Sequence, residues 1–94
     1  MALRGFGRPK RNPTTIRFKQ MARFEGEEYV VYGKEGTKIR TIFPDPRKHP
    51  GFAAAPFGAR FKVWWRGRWY GAVKSARWQE NGARVPCLDW EVEG

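Results

Sequence analysis

The sequence predicts an all-β fold, a small sheet closed into a barrel behind an extended basic arm. Short β-branched and aromatic runs recur between breaks rich in Gly, Pro and Asn, which is the pattern of strands and turns. No segment sustains a 3.6-residue apolar repeat, so no long amphipathic helix is expected. The last third reads as three consecutive strands joined by turns at 66–68 and 79–82. Ninety-four residues suffice for one domain, and its apolar bulk is aromatic: five Trp, seven Phe and three Tyr.

Residues 1–13 (MALRGFGRPKRNP) place Gly5, Gly7, Pro9 and Pro13 among four bases and read as an extended arm, which leaves 14–94 as the barrel domain. A first strand is expected at 14–19, where Ile16 and Phe18 alternate with charges, continuing through 21–24. The run 27–32 (EEYVVY) is a second, 33–36 (GKEG) a turn, and 37–43 (TKIRTIF) a third with Ile39, Thr41 and Phe43 on one face. Pro44, Pro46, Pro50 and Pro56, with Gly51 and Gly58, make 44–59 a long irregular loop with at most a helical turn at 53–55. The closing meander is 60–65, 69–78 and 83–90. Asn81-Gly82 is its strongest turn signal, because both residues tolerate positive φ. Pro86 lacks a ladder donor, so the last strand is expected at an edge or at a bulge.

Nineteen Lys and Arg stand against nine Asp and Glu, for a formal net charge of +10. The distribution is lopsided: residues 1–24 carry seven bases and no acid. A basic arm on a compact domain is a frequent footprint of nucleic-acid binding, since each phosphate neutralised releases condensed counterions. Arg4, Arg8, Lys10, Arg11, Arg17 and Lys19 are the candidates for those contacts.

The same inventory excludes much else. Cys87 is the single cysteine and His49 the single histidine, so neither an internal disulfide nor a Cys/His zinc site can form. Cys87, among Val85, Pro86 and Leu88, is expected to be a buried inert thiol, and His49, between Lys48 and Pro50, an exposed loop residue. Glu25, Glu27 and Glu28 read as a solvated strand start. Ser75 is the only serine and has no plausible base, and Gly5-Phe6-Gly7 follows no strand, so no catalytic triad or phosphate loop is expected. The expectation is a non-enzyme without metal or cofactor. No apolar run approaches the ~18 residues of a membrane span, and the first residues form no secretory signal. The expected location is intracellular or within a virion, not secreted.

The candidate site lies on the meander. If residues 66–68 form a three-residue loop, Trp65 opposes Trp69, and Phe61, Val63, Trp65, Trp69, Gly71 and Val73 share the core face. The opposite face then carries Lys62, Trp64, Arg66, Arg68, Tyr70 and Lys74, with Trp78 beyond. Rings alternating with cations have the chemistry of a single-strand platform, where bases stack and phosphates pair. The other reading of that face is burial beneath the arm or the 44–59 loop.

The stretch Trp64-Trp65-Arg66-Gly67-Arg68-Trp69-Tyr70-Gly71-Ala72-Val73 resembles the hairpin of the Tudor family, and Val85-Pro86-Cys87-Leu88-Asp89-Trp90 is similar to that family's closing strand. The resemblance covers residues 60–93. It implies a five-stranded SH3-like barrel and an aromatic cage for methylated Lys or Arg, formed by Trp64 (or Trp65), Tyr70 and Trp90 with Asp89 or Glu91 favouring the cation. Three functions therefore stay open: a nucleic-acid-binding module of low base specificity, a structural component of a large assembly (a virion or ribonucleoprotein particle) whose arm reaches neighbouring protein subunits, and a reader of methylated peptide. RNA and DNA are not distinguished.

Overall fold

The computed structural model describes residues 20–93. It consists of β1 (Met21–Phe24), β2 (Glu27–Val30), β3 (Tyr32–Gly33), β4 (Ile39–Ile42), a short helix α1 (Pro50–Ala54), β5 (Arg60–Trp65), β6 (Arg68–Trp78) and β7 (Arg84–Glu91). The strands form one antiparallel sheet in the order β2-β1-β5-β6-β7-β4-β3. Its two outer members, β2 and β3, are separated only by the buried Val31, so one bent stretch supplies both ends and the sheet nearly closes on itself. The all-β barrel is thus present with seven strands where five were expected, because 27–33 breaks at Val31 and serves both margins. The arm, the expected strand at 14–19 and the six basic residues assigned there lie outside the described residues.

Two tight turns set the register. Phe24 pairs with Glu27 and Trp65 with Arg68, so each hairpin has a two-residue loop. Both loops carry positive φ at both positions, 54° and 85° at Glu25-Gly26 and 53° and 76° at Arg66-Gly67, the primed conformation whose twist matches the strands. The β5–β6 loop is therefore one residue shorter than expected, and every side chain of β6 changes face relative to β5. Trp64 opposes Trp69, and Val63 opposes Tyr70. At 79–82 only Gly82 has positive φ (85°), and the Asn81 side chain accepts from Ala83 N at 2.9 Å, so this connection is longer than a primed two-residue turn.

The interior collects Ala22, Phe24, Val63, Trp65, Ala72, Leu88, Trp90 and Ile42. On β4 the core face is Arg40 and Ile42, which pair with Trp90 and Leu88; Ile39, Thr41 and Phe43 share the other face, as alternation predicts, with Ile39 and Phe43 exposed. One end of the barrel is plugged by α1. Pro50 stands at its first turn, where the missing N–H has no intrahelical partner to lose. Phe52, fully buried, packs edge-on to Phe24 (6.1 Å) and Phe61 (5.8 Å). The long loop thus carries its helical turn earlier than 53–55 and uses it as a lid. Past Leu88 and Val73 the β6–β7 ribbon outruns its neighbours: residues 75–78 and 84–87 pair only with each other among the described residues, and Pro86 lies on that free stretch.

Candidate functional site

The antiparallel pairings place the end of β5, the start of β6, the end of β7 and the starts of β1 and β4 together, at the barrel end opposite α1. The described chain enters here at Gln20, whose carbonyl accepts from Val31 N at 3.2 Å. This is the end that gathers Trp64, Trp65, Arg66, Arg68, Trp69, Tyr70 and Trp90 of the meander.

On the outer surface Trp64 and Trp69 meet edge-to-face at 5.3 Å. Trp69 is 62% exposed, and Trp64 is half-buried, next to Arg23 of β1. Lys62, two residues before Trp64, lies on the same face and is exposed, as are Arg66 and Arg68 at the loop. The five-residue stretch from Trp65 to Trp69 thus presents two guanidiniums beside an exposed indole. Arg66 Cζ lies 4.8 Å from the Trp65 ring centroid and Arg68 Cζ 5.3 Å from that of Tyr70. These contacts stiffen the bases without neutralising them. Neither forms an ion pair among the described residues, whereas Arg23 pairs with Glu28 (3.2 Å) and Arg77 with Asp89 (2.9 Å).

Two of the expected contacts are corrected by the shorter loop. Lys74 faces inward, 5% exposed, and its Nζ donates to the carbonyls of Phe52 (2.7 Å), Ala53 (3.2 Å) and Ala55 (2.7 Å). It caps the C-terminal end of α1, whose last carbonyls have no helical donors. Tyr70 also turns inward and packs on Trp65 at 5.9 Å. Trp90 is 2% exposed and lies 5.9 Å from Trp65. A cage of Trp64, Tyr70 and Trp90 therefore does not form, since Trp64 stands on the other side of the sheet. The alternative trio of Trp65, Tyr70 and Trp90 is brought together, but the guanidiniums of Arg40, Arg66 and Arg68 sit over its rings, the first 5.8 Å from Trp65. A further cation has no seat among them.

His49 is the residue that sequence reasoning misplaced most. It is 2% exposed, packed on Phe24 at 5.2 Å, with Nδ1 bonded to Glu25 Oε1 at 2.9 Å and Nε2 to the Tyr29 hydroxyl. Tyr29 donates in turn to Glu27 at 3.2 Å. Burial first, and then the Glu27 carboxylate, push the Tyr29 phenol up to about 12. Glu25 and Glu27 are exposed at the strand start, as expected, and in addition anchor a latch between the β1–β2 turn and the α1 loop. Cys87 is buried as expected, and burial followed by the nearby Asp89 charge pushes its thiol up to about 12.

An open groove of about 1150 Å³ runs between the edge-to-face pair Tyr32–Phe43 and the far end of the free ribbon at Arg77 and Trp78. Its polar floor is satisfied internally: Thr41 donates to Asp89 (2.7 Å) and Arg77 bridges both. The groove keeps one cation without an ion pair among the described residues, Lys34, whereas the barrel end sets Arg66 and Arg68 beside an exposed indole. No metal-binding cluster of His, Cys, Asp and Glu occurs among the described residues. No protein-family model matches the chain, and comparison with curated proteins and with solved structures likewise found no match.

Proposed function

We propose that this chain is a non-enzymatic nucleic-acid-binding module that grips single strands with little base specificity. The observation that carries the reading is the outward Trp64–Trp69 pair with Lys62, Arg66 and Arg68 around it, none of them held by a carboxylate among the described residues. An exposed indole offers a stacking surface to any base, and unneutralised guanidiniums beside it meet the phosphates on either side. The basic residues of 1–19 supply further sequence-independent phosphate contacts, which position a strand without reading it.

The test is a salt titration of binding to single- and double-stranded oligonucleotides of mixed sequence. Single strands are expected to bind more tightly, with affinity falling steeply and linearly on a log–log plot. Trp69→Ala is expected to weaken single-strand binding by about tenfold, the lower range of a lost base–ring stack. Equal affinity for duplex and single strand, with no effect at Trp69, refutes the platform.

A further inference from the structure

Four side-chain polar atoms among the described residues are buried without a hydrogen-bond partner: Gln20 Oε1, Arg40 Nε, Trp65 Nε1 and Trp90 Nε1. All four belong to residues at the barrel end opposite α1. Buried polar groups are almost always satisfied in folded proteins, and an orphan donor loses the full benefit of its former hydration. Four orphans gathered at one end therefore point to something that belongs there. Three are donors, Arg40 Nε and the two indole N–H groups, on residues that neighbour one another across β4, β5 and β7, and the partner each lacks is an acceptor.

The charges agree. Arg40, Arg66 and Arg68 converge on the trio of Trp65, Tyr70 and Trp90, at 5.8 Å and 4.8 Å from the Trp65 ring and 5.3 Å from the Tyr70 ring. Arg40 is oriented by its Nη1 bonds to the carbonyls of Thr37 (3.0 Å) and Ile39 (3.1 Å), which leave Nε without a partner. All nine acidic side chains fall within the described residues, and none forms an ion pair with any of these three arginines. Glu35, Glu91 and Glu93 stand on elements at this end, yet none closes on a guanidinium. Three like charges beside desolvated donors are costly unless an anion joins them.

We propose that this end of the barrel is a seat for a phosphate-class oxyanion, held by Arg40 Nε and the indole N–H groups of Trp65 and Trp90, with Arg66 and Arg68 on the rim. Several donors approaching from different strands suit a tetrahedral anion with several oxygens better than a carboxylate with two. Arg66 and Arg68 are exposed, so rotation of their side chains opens the way in. Behind the indoles the barrel is filled by Ala72, Val63 and Leu88, so the seat is blind and takes a terminal phosphate rather than a phosphodiester threading past. The source of that phosphate rests on the nucleic-acid reading: the end of a bound strand, adjacent to the Trp69 platform.

The first experiment follows the indole N–H signals of the full, unsubstituted chain by two-dimensional NMR during titration with sodium phosphate, against sodium chloride at equal ionic strength. Trp65 and Trp90 are expected to shift together and saturate with phosphate alone, while Trp69 and Trp78 stay in place. Unmoved Trp65 and Trp90 signals, or equal drift in both salts, overturn the seat. The second compares oligonucleotides of one sequence with a 5′-phosphate, a 3′-phosphate or neither. A terminal phosphate is expected to tighten binding about tenfold, the effect of one charge-assisted hydrogen bond. In Arg40→Gln that gain is expected to vanish while binding of the unphosphorylated strand persists. Saturable indole shifts without any terminal-phosphate gain assign the seat to a free phosphate ion. If no oligonucleotide binds at all and phosphate still moves the indoles, the nucleic-acid reading falls and the seat stands.

Discussion

Lys74→Met isolates the inward register of β6. The substitution keeps an unbranched stem of similar length and deletes the ammonium, leaving the carbonyls of Phe52, Ala53 and Ala55 without their donor. The Phe52 acceptor is buried, and an unsatisfied buried acceptor costs about 1–3 kcal/mol. The other two are partly buried and regain water, for a loss of about 0.5–1 kcal/mol each. Relief from desolvating the ammonium offsets part of this. The expected net loss is about 2–4 kcal/mol, against a total of about 5–14 kcal/mol for a chain of this length. Urea unfolding followed by Trp fluorescence measures it, and the thermal midpoint should fall by roughly 8–30 °C. A loss under about 0.5 kcal/mol refutes the capping role. The salt slope of oligonucleotide binding should not change, whereas a slope lower by about one would return Lys74 to the phosphate-contacting face.

Further outcomes follow from the same geometry. Gly67→Val should cost about 1–2 kcal/mol in a urea melt, because φ is 76° there and a Cβ meets open space, so the penalty is backbone alone. His49→Ala removes a buried ring and strands Tyr29 and Glu25, and should lower stability by about 2–4 kcal/mol. Cys87 should resist thiol reagents at pH 8 in the native chain and react at once in denaturant. Cys87 and Tyr29 both hold their protons more tightly when folded, with values about 12 against 9.0 and 10.0. The unfolded chain then releases those protons first, so their contribution is complete below pH 9 and is lost as pH climbs toward 12. Urea midpoints should fall above pH 9, and less so in the Cys87→Ala, Tyr29→Phe double variant.

The meander was legible in the sequence because its strands are long, aromatic and bounded by Gly: 60–65, 69–78 and 83–90 match β5, β6 and β7 within a residue. What alternation cannot fix is how many residues a loop spends between partners. Arg66 takes positive φ at 53°, an unusual conformation for a side chain of its size, and that single choice moves Tyr70 and Lys74 inward and Trp69 outward. Trp64 kept its expected side, since β5 alone determines it. His49 was unreadable for another reason: a Pro-flanked loop histidine looks solvated until β1 and β2 bring Glu25, Glu27 and Tyr29 around it, a contact spanning 24 residues at Glu25. The orphan donors of Trp65 and Trp90 left no trace in composition, because a buried indole with and without a partner has the same sequence.

The overhanging β6–β7 ribbon leaves two rows of backbone donors and acceptors facing outward, which is how extended chains recruit copies of themselves. Pro86 removes one donor from that margin, and Arg84, exposed and without an ion pair among the described residues, places a charge along it. Pro86, expected at an edge or a bulge, thus stands where the last strand has a free margin and leaves a second copy one donor fewer to pair with.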